Sequence, residues 1–305
     1  MKISFVIAVY NNHGSIKKTY ETIKEVFENK LTEYNYEVVF VNDGSKDESW
    51  KEIEEIVELD SQVKGLSFTR NFGQMSAMLA GFKEATGDAI INISADLQDP
   101  ISLVPEMIEK WQSGSKIVIC YRIAREDTLS SKMLSKIGYS LLRISSPEIP
   151  SGGFDYVLMD RVVMDAFNDV DVRHRFFQGD LLWTGYSTSF IPYERLKRTI
   201  GKSQYNFGKK LKNFLDAFLD SSYIPIRMIT VAGIITFISG LLYSMTILIS
   251  WLFDKTPFEG WAPLMIIILL VGGMTMFSLG IVGEYIWRIY EEVRKRPNYI
   301  IKEKI

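Results

Sequence analysis

The chain has 305 residues, 47% of them hydrophobic, with 35 basic against 37 acidic side chains and a formal net charge of −2. That length accommodates one sizeable folded domain and a further element, and the near-balance of charge argues against general nucleic-acid binding. The single cysteine, Cys120, excludes an internal disulfide framework, and with only His13 and His174 beside it a zinc site of usual make-up is not expected, so any metal here should be oxygen-ligated.

The N-terminal run MKISFVIAVYNN has a short apolar core, one preceding lysine and no small-residue cleavage site. It therefore reads as a first strand, Ile3–Tyr10, rather than a signal peptide, which leaves the N-terminal domain in the cytoplasm. Asn11, Asn12 and Gly14 break the strand, and Ser15 is expected to cap a helix with Ile16, Tyr20, Ile23 and Phe27 on one face. Tyr36–Val41 is a second strand ending in Asn42-Asp43-Gly44, and Ser45 with Glu48 spells a capping box for the next helix. Val63–Thr69 is a third strand, ending at Arg70-Asn71, and Gly73–Ala85 a helix. Ala89–Ser94 is the fourth strand, Leu103–Trp111 a helix, and Lys116–Tyr121 a fifth strand ending at Arg122. This alternation predicts an α/β domain with a mostly parallel sheet and helices on both faces. Asn11, Asp43, Arg70, Asp96 and Arg122 each follow a strand, so a parallel sheet gathers them on one rim. Neither GxGxxG nor a Walker-type lysine is present, which weakens dinucleotide and P-loop readings.

Within Asn92–Pro100, NISADLQDP, an apolar strand gives way abruptly to a carboxylate. Asp96 and Gln98 flank Leu97, and alternate residues of extended chain face the same way, so both oxygens can meet one hard cation such as Mg2+ or Mn2+. The plainer reading of the same residues is a strand-to-helix loop, with Asp99 and Ser102 starting the helix.

In this order, VIAVYNN, VNDGSKD, TRNFGQMSAMLAGF, ADLQDP, GGFDYVLMDR and GKSQY resemble the inverting family-2 glycosyltransferases over nearly the whole chain. More narrowly they resemble the polyprenyl-phosphate glycosyltransferases, the branch of dolichyl-phosphate mannose synthase and bacterial undecaprenyl-phosphate glucosyl- and N-acetylglucosaminyltransferases. The resemblance implies a GT-A fold, a nucleotide-sugar donor (UDP-glucose or UDP-N-acetylglucosamine) and undecaprenyl phosphate as acceptor. It assigns Tyr10, Asn11, Asp43, Arg70 and Asp96 to the donor, and Asp96 with Gln98 to Mg2+ or Mn2+. It assigns Arg122, Lys132 and Ser135 to the lipid phosphate, and the basic run after Tyr193 adds Arg198 and Lys202 as residues that can also reach a phosphate. Asp155 becomes the candidate general base, with Asp96 the other catalytic carboxylate. A phosphate monoester has its second pKa near ~6, so its oxygen is largely ionised at neutral pH and Asp155 can serve by orienting it. Asp160-Arg161 reads as a structural pair at a helix start. Many relatives carry Asp-x-Asp where this chain has Ser94-Ala95-Asp96, which should weaken metal binding or leave that position to water or the serine hydroxyl. The Gln-x-x-Arg-Trp signature of processive synthases is missing: Gly-Asp-Leu-Leu separates Gln178 from Trp183, which favours a single transfer.

From Tyr193 the chain turns basic, with Arg195, Lys197, Arg198, Lys202, Lys209, Lys210 and Lys212, and Phe207–Tyr223 has the pattern of an interfacial amphipathic helix. Met228–Phe253 and Ala262–Trp287 read as a transmembrane hairpin. Arg227 before it and Arg288, Arg294, Lys295 and Arg296 after it make both ends cytoplasmic in a multi-pass plasma-membrane protein. The expected organisation is a catalytic domain over 1–205, a juxtamembrane segment over 206–227, two spans within 228–288 and a cytoplasmic tail over 289–305. Gly272, Gly273, Gly280 and Gly283 offer small surfaces for helix packing within or between chains, so membrane lipids and a homo-oligomer are expected partners. Glu284 is the one ionisable residue of the spans, with Arg288 a turn away to pair with it. Two spans are too few for a sugar channel unless chains assemble, so flipping is expected of a separate flippase. Two other readings stay open: a glycolipid or polysaccharide synthase with another acceptor, and a non-catalytic scaffold that binds sugar nucleotide.

Overall fold

A computed structural model describes residues 1–123, 148–150, 153–170, 175–194, 224–253 and 262–305. The chain divides into two compact units, Met1–Ser221 with Pro297–Ile305, and Ser222–Arg296.

The first unit runs β1 (Lys2–Val9), α1 (Ile16–Lys30), β2 (Asn35–Asn42), α2 (Ser49–Leu59), β3 (Val63–Phe68), α3 (Gln74–Glu84), β4 (Ala89–Asn92), α4 (Val104–Gln112) and β5 (Ile117–Arg122). It continues with β6 (Tyr156–Asp160), α5 (Arg161–Asp169), α6 (Phe177–Trp183), β7 (Thr188–Tyr193) and, after the second unit, β8 (Ile301–Lys304). These strands form one sheet in the order β7-β5-β6-β4-β1-β2-β3-β8. β1 pairs in parallel with β2 and β4, β2 with β3, and β5 with β7. β6 is antiparallel to both β4 and β5, and β8 is antiparallel to β3. The expected mostly parallel sheet is thus mixed. Because β6 is antiparallel to both neighbours, β5 runs the same way as β4, and the five predicted strand ends share one edge. The start of β6 lies at that edge as well.

The central strands are buried on both faces, which is why they read as unbroken apolar runs. Phe5, Ile7 and Phe40 face one side, where α1 contributes Ile16, Ile23 and Phe27. Val6, Ile90 and Met159 face the other, against Met78 and Phe82 of α3 and Val163 and Phe167 of α5. A Cβ at Gly81 would run into Val6, so glycine there lets α3 lie close on the sheet.

Two expected caps differ. Ser15 holds the cap position of α1, but its hydroxyl donates backwards to the Asn12 carbonyl at 2.8 Å. The Ser45–Glu48 box does not form: Glu48 precedes α2 without a side-chain cap, and the Ser45 hydroxyl instead accepts the Asn11 amide at 3.0 Å. The Ser15 bond is local to its own loop, whereas the Ser45 bond ties the loop after β2 to the loop after β1 in place of a cap.

The tail expected over 289–305 is divided. Residues 297–305 return to the sheet, where Ile305 and Gly65 exchange two backbone hydrogen bonds of 2.9 Å. Tyr299 stacks on Phe68 with ring centroids 5.0 Å apart, and the Lys304 ammonium donates to Glu84 at 2.8 Å.

The second unit contains α7 (Ile224–Leu252) and α8 (Ala262–Val293). Among the described residues one helical stretch, Leu270–Val293, is long and apolar enough to cross a membrane, and Ile229–Tyr243 is a shorter apolar stretch. Phe237, Leu270, Met276 and Phe277 are each about two-thirds exposed or more. Glu284 pairs with Arg288 at 3.4 Å, as their spacing suggested. Among the described residues, a Cβ built on Gly272, Gly273, Gly280 or Gly283 meets nothing within 4 Å. The predicted interfacial helix Phe207–Tyr223 lies outside the described residues.

Candidate active site

Cross-linked loops form one end of the rim. Asn11 takes a positive φ of 53°, and its side-chain oxygen accepts the Lys46 amide at 2.9 Å. The Asn12 amide donates to the Ser49 hydroxyl at 2.9 Å, and the Asn12 side chain accepts the Tyr10 amide at 2.9 Å. Glu52 on α2 accepts from the Gly14 and Lys17 amides at 2.7 and 2.8 Å. Asn11 therefore joins the loops after β1 and β2, and half-buried Tyr10 sits at the start of the same loop.

Asp43, at the end of β2, is 3% exposed. Its carboxylate accepts the Phe72 amide at 2.6 Å and the Gly73 amide at 3.0 Å, ahead of α3. Burial raises its pKa to about 6, against the two amides that pull it down. Gly44 has φ 65°, and a Cβ there would strike the Arg70 carbonyl carbon and lie 2.6 Å from the Asn71 nitrogen. Only glycine lets the two loops meet. Gly73 has φ 99° and open space where a Cβ would stand. Exposed Arg70 lays its guanidinium over the Phe72 ring at 4.8 Å.

The loop after β4 corrects the expected geometry. Leu97 has φ 57°, so the chain is not extended there, and Asp96 and Gln98 stand across a tight turn in which Asp96 accepts the Gln98 amide at 3.3 Å. Asp99 does not begin a helix. It is 1% exposed, accepts the Ser94 amide at 3.2 Å and the Ser94 hydroxyl at 2.5 Å, and accepts the Tyr193 hydroxyl at 2.7 Å. The Ser94 hydroxyl proton is thus committed to Asp99, and β4 ends at Asn92, short of the predicted Ser94. Ser102 sits in a 3₁₀ turn, Ile101–Leu103, ahead of α4.

Asp96 and Gln98 supply one carboxylate and one amide. Among the described residues no group of three or more His, Cys, Asp or Glu side chains converges. A hard-oxygen pair of this kind fits a cation that keeps waters and takes further ligands from substrate phosphates, the usual habit of Mg2+.

Arg122 closes β5 with its side chain 12% exposed, and its guanidinium lies 3.4 Å from the Asp155 carboxylate, itself 52% exposed. Burial would lower the Arg122 pKa, but Asp155 and the Tyr193 hydroxyl outweigh it and hold the group firmly charged. The Asn92 side-chain amide donates to the Asp155 carbonyl at 2.7 Å, fixing the backbone where β6 begins. Neighbouring strands are spaced about 4.8 Å apart, so β2 and β6, three steps apart in the sheet, set Asp43 and Asp155 roughly 14 Å from each other along the rim. Lys132, Ser135, Arg198 and Lys202 lie outside the described residues.

Asp160 and Arg161 are structural residues at the start of α5, as expected, each through its own partners. Asp160 caps α5 through the Val162 amide and accepts from Trp111 and Lys116, both at 2.8 Å, while Arg161 donates to the Ala85 and Gly87 carbonyls. Sequence reasoning did not place Asn92, Asp99 or Tyr193 in the site. Asn92 and Asp99 lie within NISADLQDP, whereas Tyr193 stands on β7, which no motif signals.

Residues 4–167 match the model of glycosyl transferase family 2, and residues 224–289 match that of the GtrB C-terminal hairpin. The SfII prophage-derived bactoprenol glucosyl transferase of Shigella flexneri is 40% identical, with 99% of this chain and 98% of the relative covered. The uncharacterized glycosyltransferase YkcC of Bacillus subtilis is 38% identical, with coverage of 99% and 94%. Glucosyl-3-phosphoglycerate synthase from Mycobacterium tuberculosis, solved with Mn2+, UDP-glucose and phosphoglyceric acid, shares the fold at a TM-score of 0.50 and 17% identity, over 72% of this chain and 79% of that one. The mixed sheet is therefore of GT-A type, and the chain is a glycosyltransferase that belongs to glycosyl transferase family 2.

Proposed function

We propose that this glycosyltransferase moves one glucose from a nucleotide diphosphate sugar, with UDP-glucose the first donor to test, to a polyprenyl phosphate of the undecaprenyl type. The observation that carries this reading is the charged Arg122–Asp155 pair on the same sheet edge as Asp43 and the Asp96 turn. Full-length relatives named bactoprenol glucosyl transferases support the acceptor and the sugar.

In this reading Asp43, Tyr10, Asn11 and Arg70 hold the nucleotide end of the donor. Asp96 and Gln98 would hold Mg2+ or Mn2+, and a divalent cation there would offset the charge that develops on the leaving group. Arg122 draws the acceptor phosphate to the sugar, with Lys132, Ser135, Arg198 and Lys202 as further phosphate contacts. A phosphate oxygen bonds to the anomeric carbon, the carbon–oxygen bond to the diphosphate breaks, and its electron pair leaves with the nucleoside diphosphate. The acceptor oxygen is already ionised at neutral pH, so Asp155 works chiefly by orienting Arg122 and the incoming phosphate. Attack opposite the leaving group inverts the anomeric centre.

The membrane reading rests on connectivity. The chain leaves the first unit before residue 224 and returns to it by residue 297 to lay β8 on the sheet. A segment that begins and ends on one side of a bilayer crosses it an even number of times. That favours two spans, α7 and α8, and their exposed apolar side chains suit lipid. Basic residues at both ends of the hairpin favour a cytoplasmic catalytic unit. The organisation into a catalytic domain, a juxtamembrane segment and a hairpin follows, with assembly into oligomers and a separate flippase as further elements of the same proposal.

The test is product mass after incubating the membrane-embedded protein with a panel of nucleotide sugars and either undecaprenyl phosphate or diacylglycerol. A product one hexose heavier than undecaprenyl phosphate is expected. A diacylglycerol product, or a polymer, would replace this reading with a glycolipid or polysaccharide synthase. No transfer from any donor would leave a sugar-nucleotide-binding scaffold.

A further inference from the structure

Asp99 links two parts of the rim that the proposed reaction uses separately. On one side its carboxylate holds both the amide and the hydroxyl of Ser94, closing the turn that presents Asp96 and Gln98. On the other it accepts the Tyr193 hydroxyl at 2.7 Å, and the oxygen of that hydroxyl accepts Arg122 Nε at 3.4 Å. Arg122 and Tyr193 are register partners on the parallel strands β5 and β7, which sets the two side chains beside each other. A phenol has one proton. Once it points at Asp99, only lone pairs remain for Arg122, so the sense of the chain is fixed. Burial, and next the Asp99 charge, push the Tyr193 pKa well above the usual phenol range, so that proton stays in place across physiological pH.

We propose that Asp99 and Tyr193 are positioning residues that set the donor-side turn and the acceptor-side arginine from one buried carboxylate. This rests on the reading of Arg122 as the acceptor-phosphate ligand. It also gives Ser94 a role. At a position where an aspartate would set a second carboxylate against Asp99, serine supplies a donor.

Tyr193→Phe removes one oxygen at nearly constant volume. Expected is a rise of tenfold or more in KM for undecaprenyl phosphate, or an equivalent fall in kcat, with the Mn2+-dependent Kd for UDP-glucose within twofold of the parent. Asp99→Asn is expected to move both the donor Kd and the acceptor KM, and the double variant to fall well short of the product of the single effects, because both act through one chain. Parental acceptor kinetics in Tyr193→Phe, equal loss of donor and acceptor binding in that variant, or fully multiplicative Asp99 and Tyr193 effects would each overturn the inference. Transfer by the parent with any of these results overturns the inference alone. Absence of transfer to undecaprenyl phosphate by the parent overturns the proposed function first, and the acceptor half of the inference with it.

Discussion

The two sides of the rim are held to different tolerances. On the donor side, the loops after β1, β2 and β3 are joined by hydrogen bonds mostly of 2.6–3.0 Å, and Asp43 is buried against two amides. On the acceptor side, Arg122 meets both Asp155 and Tyr193 at 3.4 Å, and the Asp155 carboxylate is half exposed. Long, open contacts are what a catalytic constellation shows before its substrate tightens it. In the proposed reading the donor side is thus organised ahead of binding, whereas a phosphate arriving at Arg122 would complete the other side. Substitutions on the two sides should therefore separate into effects on donor binding and effects on turnover.

The largest effect is expected at Asp96. Removing the carboxylate in Asp96→Ala should lower turnover about 1000-fold, the scale of losing a principal electrostatic stabiliser. It should also weaken donor binding in a way that added Mn2+ only partly restores, read by steady-state rates across a metal titration. Asp155→Asn comes next, with a fall of about 100-fold in kcat, the cost of a misplaced acceptor, and an unchanged donor Kd.

Gly44→Ala sharpens the donor-side claim through stability. It forces a side chain into positive φ and against the Arg70 backbone, and should cost about 2 kcal/mol or more in chemical denaturation. The pH dependence of donor binding is milder. The folded Asp43 carboxyl is raised from 3.8 to about 6, so between these values the folded chain holds a proton that the unfolded chain has released. This group's contribution to stability therefore falls as pH rises from about 4 to about 6. Over the upper part of that range the ionised Asp43 carboxylate becomes available to the nucleotide sugar, and Kd for UDP-glucose should tighten about tenfold between roughly pH 5 and 7. Asp43→Asn should flatten that profile. The smallest effect is expected at Lys304, an exposed partner of Glu84. Lys304→Ala should change stability by no more than about 0.5 kcal/mol.

Much of the donor side was legible because local signals and global fold agree there. Each strand from β1 to β5 is a short apolar run with polar punctuation, and parallel order turns those breaks into one edge. The acceptor side was less legible. β6 was met only as the motif GGFDYVLMDR, and nothing local says that it inserts between β4 and β5 in the reverse sense. That reversal is what brings Asp155 to the rim. Tyr193 was invisible for the same reason: its role depends on β7 pairing with β5, a contact between residues about 70 apart. The failed capping box and the turn at Leu97 show the converse. A serine that suits a cap can be claimed by a tertiary partner, and an alternating pattern means a shared face only where the chain is extended.

The most direct test of a divided rim is the Mn2+-dependent Kd for UDP-glucose, measured by calorimetry on the full chain carrying Asp96→Ala or Asp155→Asn. Loss of donor binding in the first, with binding within twofold of the parent in the second despite its lost turnover, is the predicted result. Equal loss in both would contradict the assignment of Asp155 to the acceptor side.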